Sequence, residues 1–324
     1  MRSEITYEFL DALRRENRHS TAECYQLGLR NLRQWLKLQG LDPLKVTQQS
    51  LEQFQRWLSD DYRSPTGKAL GQGTQGCRLA AVKTFYKWLH RNGKMLVNPA
   101  RGLLSPKVPR SKAVTSDYLT QQEATALLQT QADWVTQQPR GSRRWADRQR
   151  DLALLCLALA TGRRRLSLLS LRVEHLDFKR SEIMVVWEKG KPGRVLPCAK
   201  WAMRVVQEYV KHGRPVLLGR GPDAGWLFVG NRIPRVTKDH LRQFLRELQA
   251  RAAAQNPDLL ELAEKRIRPH SLRVTYARLL FLNGANIRAV NELLLHTKLT
   301  TTARYTPLEL EDVRHALKLA HPRA

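Results

Sequence analysis

The chain has 324 residues, enough for two domains of ordinary size that each bury their own core. Its 56 Lys and Arg against 29 Asp and Glu leave a formal charge of +27, which calls for a polyanionic partner, nucleic acid ahead of an anionic membrane. A membrane span is excluded, because no apolar run reaches the ~18 residues that one requires, and the stretch "MRSEITYEFLDALRREN" lacks the apolar core of a secretory signal.

These features predict a soluble, cytoplasmic, nucleoid-associated protein with no membrane partner. Cys24, Cys77, Cys156 and Cys198 form no CxxC or Cys/His cluster, so neither a zinc site nor a disulfide framework is indicated. They read as small buried residues of a reducing compartment. There is no P-loop, no GxGxxG and no run of paired carboxylates, so the usual nucleotide and metal chemistries are absent from the pattern and no cofactor is expected.

The first hundred residues read as wholly helical. In "HSTAECYQLGLRNLRQWLKLQG", Ser20 and Glu23 have the spacing of a capping box and Gly40 is a stop. In "VTQQSLEQFQRWLSDDY", Leu51, Phe54, Trp57 and Leu58 share one face. After the turn "GQGTQGC", a third helix places Leu79, Val82, Phe85, Tyr86 and Leu89 inward and alternates them with Arg78, Lys83 and Lys87, a basic face suited to DNA. The proline-broken "VNPARGLLSPKVPRSKAVTSDYLT" ends this region, and residues 101–116 are expected to be a linker along the nucleic acid.

Beyond it, Thr120 caps a helix over "QQEATALLQ", and "TQQPRGSRRWADRQR" is a loop or helix extension. The run "DLALLCLALATGRRRLSLLSLRVEHLDF" reads as apolar helix interrupted at Thr161-Gly162. "EIMVVWEKGKPGRVLPC" reads as two short strands about a Lys/Gly/Pro turn, the one convincing β signal. From Trp201 onward the pattern is helix and loop.

Attack on a phosphodiester without a metal requires a nucleophile, cations to neutralise the non-bridging oxygens, an acid for the leaving oxygen and a partner for the nucleophile's proton. Arginine suits the clamp, because its planar fork meets two phosphate oxygens at once. Lysine, a compact donor with a tunable pKa, suits the acid. Periodicity alone would make Tyr305, near the end of "LLLHTKLTTTARYTP", a packed aromatic with its hydroxyl at the surface.

Four stretches in order, "ATGRRRLSLLSL", "VVWEKGKPGRVLP", "HSLRVTYARLLFLNGANI" and "LLLHTKLTTTARYTP", resemble the motifs of the tyrosine recombinase (phage-integrase) family, over roughly residues 120–310. The N-terminal helices with "NPARGL" look like that family's core-binding domain, and the ending "LAHPRA" is similar to Xer-type members. The resemblance puts the family's T-G-x-R pattern on Thr161, Gly162 and Arg164, so Arg164 becomes the first clamp arginine. Arg163 and Arg165 remain possible members of a solvated face. The strand-turn lysine falls on Lys189, with Lys191 as the alternative. The H-x-x-R pair falls on His270 and Arg273, the last histidine on His296, and the nucleophile on Tyr305.

What the resemblance implies is a mainly α protein. An N-terminal helical core-binding domain (1–100) and the linker (101–116) precede a mixed α+β catalytic domain (117–324) with a small antiparallel sheet and a C-terminal docking helix. The implied activity is site-specific recombination of double-stranded DNA through a 3′-phosphotyrosyl intermediate and a Holliday junction, without metal or ATP. A homo-tetramer on DNA and an accessory protein are the implied partners. A type IB topoisomerase acting as a monomer and a DNA-binding relic without chemistry are the alternatives. The chain departs from the pattern at Ser167, where an acidic residue is common, at Leu295, where glycine is usual, and at Asn291, where glutamine is usual. These changes put the packing behind the site in question.

Overall fold

The computed structural model describes residues 3–16, 18–106, 118–186, 193–230 and 233–295. The chain divides into two compact units, Met1–Ser111 and Lys112–Ala324.

In the first unit the described residues form four helices, α1 (Ser3–Arg15), α2 (His19–Gln39), α3 (Gln48–Asp60) and α4 (Gln72–Arg91). Apolar periodicity drives their packing: Leu51, Phe54 and Leu58 of α3, and Leu79, Val82, Phe85, Tyr86 and Leu89 of α4, are all fully buried. Trp57 lies at the edge of this core and meets Tyr62 edge to face, with ring centroids 5.3 Å apart. α2 and α4 touch backbone to backbone at Gly28, where a Cβ would stand 2.7 Å from the Ala81 Cβ and 2.9 Å from the Arg78 carbonyl oxygen. Gly40 ends α2 in the left-handed conformation, with φ 62°, as its position in the sequence predicts.

The Ser20–Glu23 capping box does not form. The Ala22 amide is taken by the Arg18 carbonyl at 2.9 Å, so α2 starts at His19 and Ser20 is already inside its first turn. The cysteines also divide. Cys156 and Cys198 are buried, but Cys24 and Cys77 are exposed, correcting the expectation that all four are core residues.

The second unit contains α5 (Gln121–Thr136), α6 (Arg143–Thr161), α7 (Arg165–Leu169), β1 (Leu176–Asp177), β2 (Glu182–Val185), β3 (Arg194–Pro197), α8 (Lys200–Glu208), α9 (Arg214–Leu218), α10 (Lys238–Gln255), α11 (Leu260–Glu264), α12 (Pro269–Leu282) and α13 (Ile287–Leu293). A π-helical turn over Tyr209–Gly213 joins α8 to α9. Thr120 caps α5 in a reciprocal box with Glu123, and Ser142 caps α6 by accepting from the Trp145 amide.

α6 is buried on nearly every side and packs against α5, α8, α9 and α12, so it is the axis of this unit. Its polar first half is held by Arg150, which donates to Asp151 and Asp147 and to the Val229 carbonyl, each at 3.0 Å. Burial alone would raise the Asp151 carboxyl, but Arg150 and His240 outweigh it and hold that group below the usual carboxylate range.

The sheet is antiparallel in the order β1-β2-β3, with Leu176 opposite Ile183 and Val185 opposite Arg194. Ile183 and Val185 face the core and Met184 faces out. β1 corrects the helical reading of "LRVEHLDF": α7 stops at Leu169, and a 3₁₀ turn over Val173–His175 leads into the strand. Two residues are too short to show an alternation, so pairing with β2 makes the strand. Among the described residues no helix is long and apolar enough to cross a membrane.

Candidate active site

The second half of α6 is an almost uninterrupted apolar run, and it ends where a left-handed residue is required. Gly162 has φ 57° and caps the helix by donating to the Ala158 carbonyl at 2.9 Å. A Cβ there would overlap Cδ1 of Tyr276 and stand 3.0 Å from Cδ2 of Leu294. Both the backbone angle and the available space therefore demand glycine.

The chain then presents two arginines with different fates. Arg163 turns inward, only 3% exposed, and its guanidinium donates to the Thr161 carbonyl at 3.1 Å and to the Leu293 carbonyl. It is a structural brace, which corrects the alternative of a solvated face at that position. Arg164 is half-buried at the N-cap of α7, close enough to His270 to depress that ring's pKa. Arg165 is also half-buried.

α12 begins with Pro269 at its first position, and the Ser271 hydroxyl accepts from the Arg268 amide at 3.1 Å. His270 and Arg273 lie three residues apart on one side of it. Arg273 is buried, donating to the Gly162 carbonyl at 2.7 Å and to the Leu294 carbonyl at 2.6 Å. These acceptors belong to the α6–α7 turn and to the C-terminal end of α13, whose last carbonyls have no partner within their own helix. One guanidinium thus ties three of the motif segments together. His270 is exposed at the N-terminal turn, and its pKa is lowered first by desolvation against the protein and then by Arg273 and Arg164. Both effects favour the neutral imidazole.

α13 is capped by Asn286, whose side chain accepts from the Ala289 amide at 2.8 Å. Leu295, two residues past the last helical residue of α13, adopts φ 53°. Left-handed backbone costs a leucine about 1–2 kcal/mol. Burial of its side chain in the main core, at 2% exposure, offsets that cost by about 1.5–3 kcal/mol. Leucine at this position thus adopts the left-handed conformation that glycine favours.

Ser167 is buried and lines a cavity of about 390 Å³ with Glu174 and Arg172. Glu174, the acid lining this cavity, pairs its carboxylate with Arg172 at 3.5 Å. Asn291 lies within α13.

Arg164, His270 and Arg273 are thus brought to one place. Lys189 and its alternative Lys191, together with His296, Tyr305 and the C-terminal docking helix, lie outside the described residues. Arg163, passed over as one of three consecutive arginines, is the structural contributor that sequence reasoning missed. Its cue was proximity to a helix-ending glycine, where carbonyls need donors.

The Gly162→Ala variant is expected to lose about 2–5 kcal/mol, from left-handed strain plus overlap with Tyr276. For a unit of this size that corresponds to a fall of roughly 5–15 °C in melting temperature. Calorimetry checks it, and an unchanged melting temperature would contradict the packing described here.

Residues 117–311 match the phage integrase family, and residues 7–93 match the phage integrase N-terminal SAM-like domain. The chain is 31% identical over 303 residues to tyrosine recombinase XerC 2 of Ralstonia nicotianae, covering 93% of this chain and 80% of that protein. Among solved structures, XerA recombinase is 25% identical, with 99% of each chain covered and a TM-score of 0.52. The XerH site-specific recombinase in a pre-cleavage complex with its difH substrate shares the fold at TM-score 0.66 and 16% identity, with 94% of this chain and 79% of that one covered. Its motif residues gathered by Arg273 and its two halves matched over most of their length, this chain belongs to the phage integrase family of tyrosine recombinases.

Proposed function

We propose that this chain cleaves and rejoins double-stranded DNA at a specific site through a 3′-phosphotyrosyl intermediate, and exchanges strands through a Holliday junction within an assembly of four copies. The Tyr305 oxygen attacks the scissile phosphorus, and the bond from phosphorus to the 5′ oxygen breaks. Neutral His270 accepts the phenolic proton, and Lys189 delivers a proton to the departing 5′ oxygen. Arg164 and Arg273 neutralise the non-bridging oxygens as charge builds, and His296 donates to the phosphate. The phosphotyrosyl ester conserves the energy of the broken bond, so attack by the 5′ hydroxyl of a partner duplex needs no ATP.

What most supports this reading is the double tie of Arg273 to Gly162 and Leu294. It brings the turn carrying Arg164, the helix carrying His270, and the end of α13, which precedes His296 and Tyr305 in the sequence, to a common point. The charge of +27 suits the substrate. In the first unit, Lys87 is exposed on the side of α4 away from its core, consistent with contact to the DNA backbone.

The decisive experiment uses duplex DNA nicked just 3′ of the scissile phosphate, so that the short 5′-hydroxyl fragment diffuses away and the adduct accumulates. A covalent complex on a denaturing gel, formed only with a specific site, is the expected result. Junction intermediates should appear with two intact sites. An adduct on any sequence, with relaxation of supercoils and no junctions, would instead indicate a topoisomerase. No adduct on any site would indicate a binding protein.

A further inference from the structure

α12 carries two stripes that do different things. With 3.6 residues per turn, His270 and Arg273 lie on one side, while Ser271, Thr275 and Arg278 lie on another. All three residues of the second stripe are buried although they are polar. Buried polar groups are tolerated only when satisfied, so what satisfies them is informative.

Thr275 and Arg278 of this stripe face the stretch Tyr118–Glu123. The Leu119 amide donates to the Thr275 hydroxyl at 2.9 Å, and that hydroxyl donates to the Ser271 carbonyl at 2.9 Å. Leu119 and Thr275 are both fully buried. The Arg278 guanidinium lies over the Tyr118 ring at 4.1 Å, and the Lys265 ammonium reaches the same ring at 5.8 Å. Lys265, at the start of the loop leading into α12, also donates to both carboxylate oxygens of Glu123 at 2.7 Å, an ion pair largely buried on both sides. Beyond the Leu119–Thr275 bond, three further contacts, of Arg278 and Lys265 with Tyr118 and of Lys265 with Glu123, thus tie this stretch to α12 and its leading loop. Polar ties hold one register, which apolar packing does not.

We propose that Tyr118–Glu123 is a positioning element for α12, and that Thr275 is the positioning residue through which it sets the placement of Arg273. Thr275 touches no reacting atom in this scheme. It holds the helix half a turn beyond Arg273, and Arg273 in turn must meet both its carbonyl partners and the phosphate. The inference rests on Arg273 acting as a phosphate clamp, as proposed above.

The test is single-turnover cleavage of the nicked duplex, with DNA binding and melting temperature measured alongside. Thr275→Val keeps the shape and removes the hydroxyl, and it is expected to slow cleavage by about ten- to a hundredfold with binding retained. Thr275→Ser keeps the hydroxyl and should stay within about threefold of wild type. In an Arg273→Ala background, Thr275→Val should cause no further loss, since a positioning residue has nothing left to position. Should Thr275→Val fail to fold, Glu123→Gln serves instead. It retains an acceptor for the Thr120 amide, removes the charge facing Lys265, and is expected to slow cleavage in the same non-additive way.

Wild-type rates in both Thr275→Val and Glu123→Gln would overturn the proposal. So would equal slowing by Val and Ser, or a Thr275→Val loss that persists in full without Arg273. If wild-type protein itself forms no adduct, or if Arg273→Ala cleaves normally, the clamp reading fails first, and the two failures are told apart by those controls.

Discussion

Replacing Tyr305 with phenylalanine is expected to abolish the covalent protein–DNA adduct while leaving site binding nearly unchanged. The substitution removes one oxygen and keeps the ring, so whatever packing the ring provides survives while the nucleophile does not. The competing view, a tyrosine that merely packs its ring, predicts the opposite: adduct formation close to wild type. A denaturing gel on the nicked duplex separates them, and an adduct that persists in Tyr305→Phe would require another nucleophile. A free phenol has a pKa near 10, so attack at neutral pH depends on help from its surroundings. In the proposed mechanism Arg164 and Arg273 supply positive charge, and His270, whose pKa is lowered by desolvation and by those two arginines, supplies a place for the proton.

Lys189→Ala is expected to slow cleavage by about 10²–10⁴, the usual cost of losing a general acid, with binding close to wild type. β2 ends at Val185 and β3 starts at Arg194, its partner in the ladder, so Lys189 and Lys191 both belong to the connection between two paired strands. Chemistry can distinguish them. DNA with sulfur in place of the bridging 5′ oxygen has a leaving group that needs no proton, so Lys189→Ala should recover most of its rate on it. Arg164→Ala and Arg273→Ala should not recover, because their charge acts on the non-bridging oxygens. Lys191→Ala should be near wild type on both substrates. If Lys191→Ala is the slow variant and sulfur rescues it, the acid lies two residues further on. If no slow lysine variant is rescued, lysine holds the phosphate and the proton comes from elsewhere.

Much of this molecule follows from local pattern. The buried face of α4 from Leu79 to Leu89, the Thr120 cap and the stops at Gly40 and Gly162 are properties of a helix and its ends. They depend on neighbours within a few residues, and the apolar period and capping chemistry report them directly. The hairpin of β2 and β3 was legible for the same reason, since its turn residues sit between two β-rich runs. Resemblance to the family's motifs picks out Arg164, His270 and Arg273 along the chain.

Tertiary structure decided what depends on partners far along the chain. Arg163 and Arg164 are chemically identical neighbours. Arg163 became a brace because the Leu293 carbonyl, 130 residues away, ends a helix beside it. Thr275 is buried as a hydrogen-bond partner of the Leu119 amide, 156 residues earlier in the chain. Leu295 keeps a left-handed backbone because the core it fills offsets the strain, and that core draws on helices spread across the whole second unit. A backbone group left unpaired at a helix end must find a partner, and sequence reveals the need. Which distant side chain meets it is set by how the helices pack.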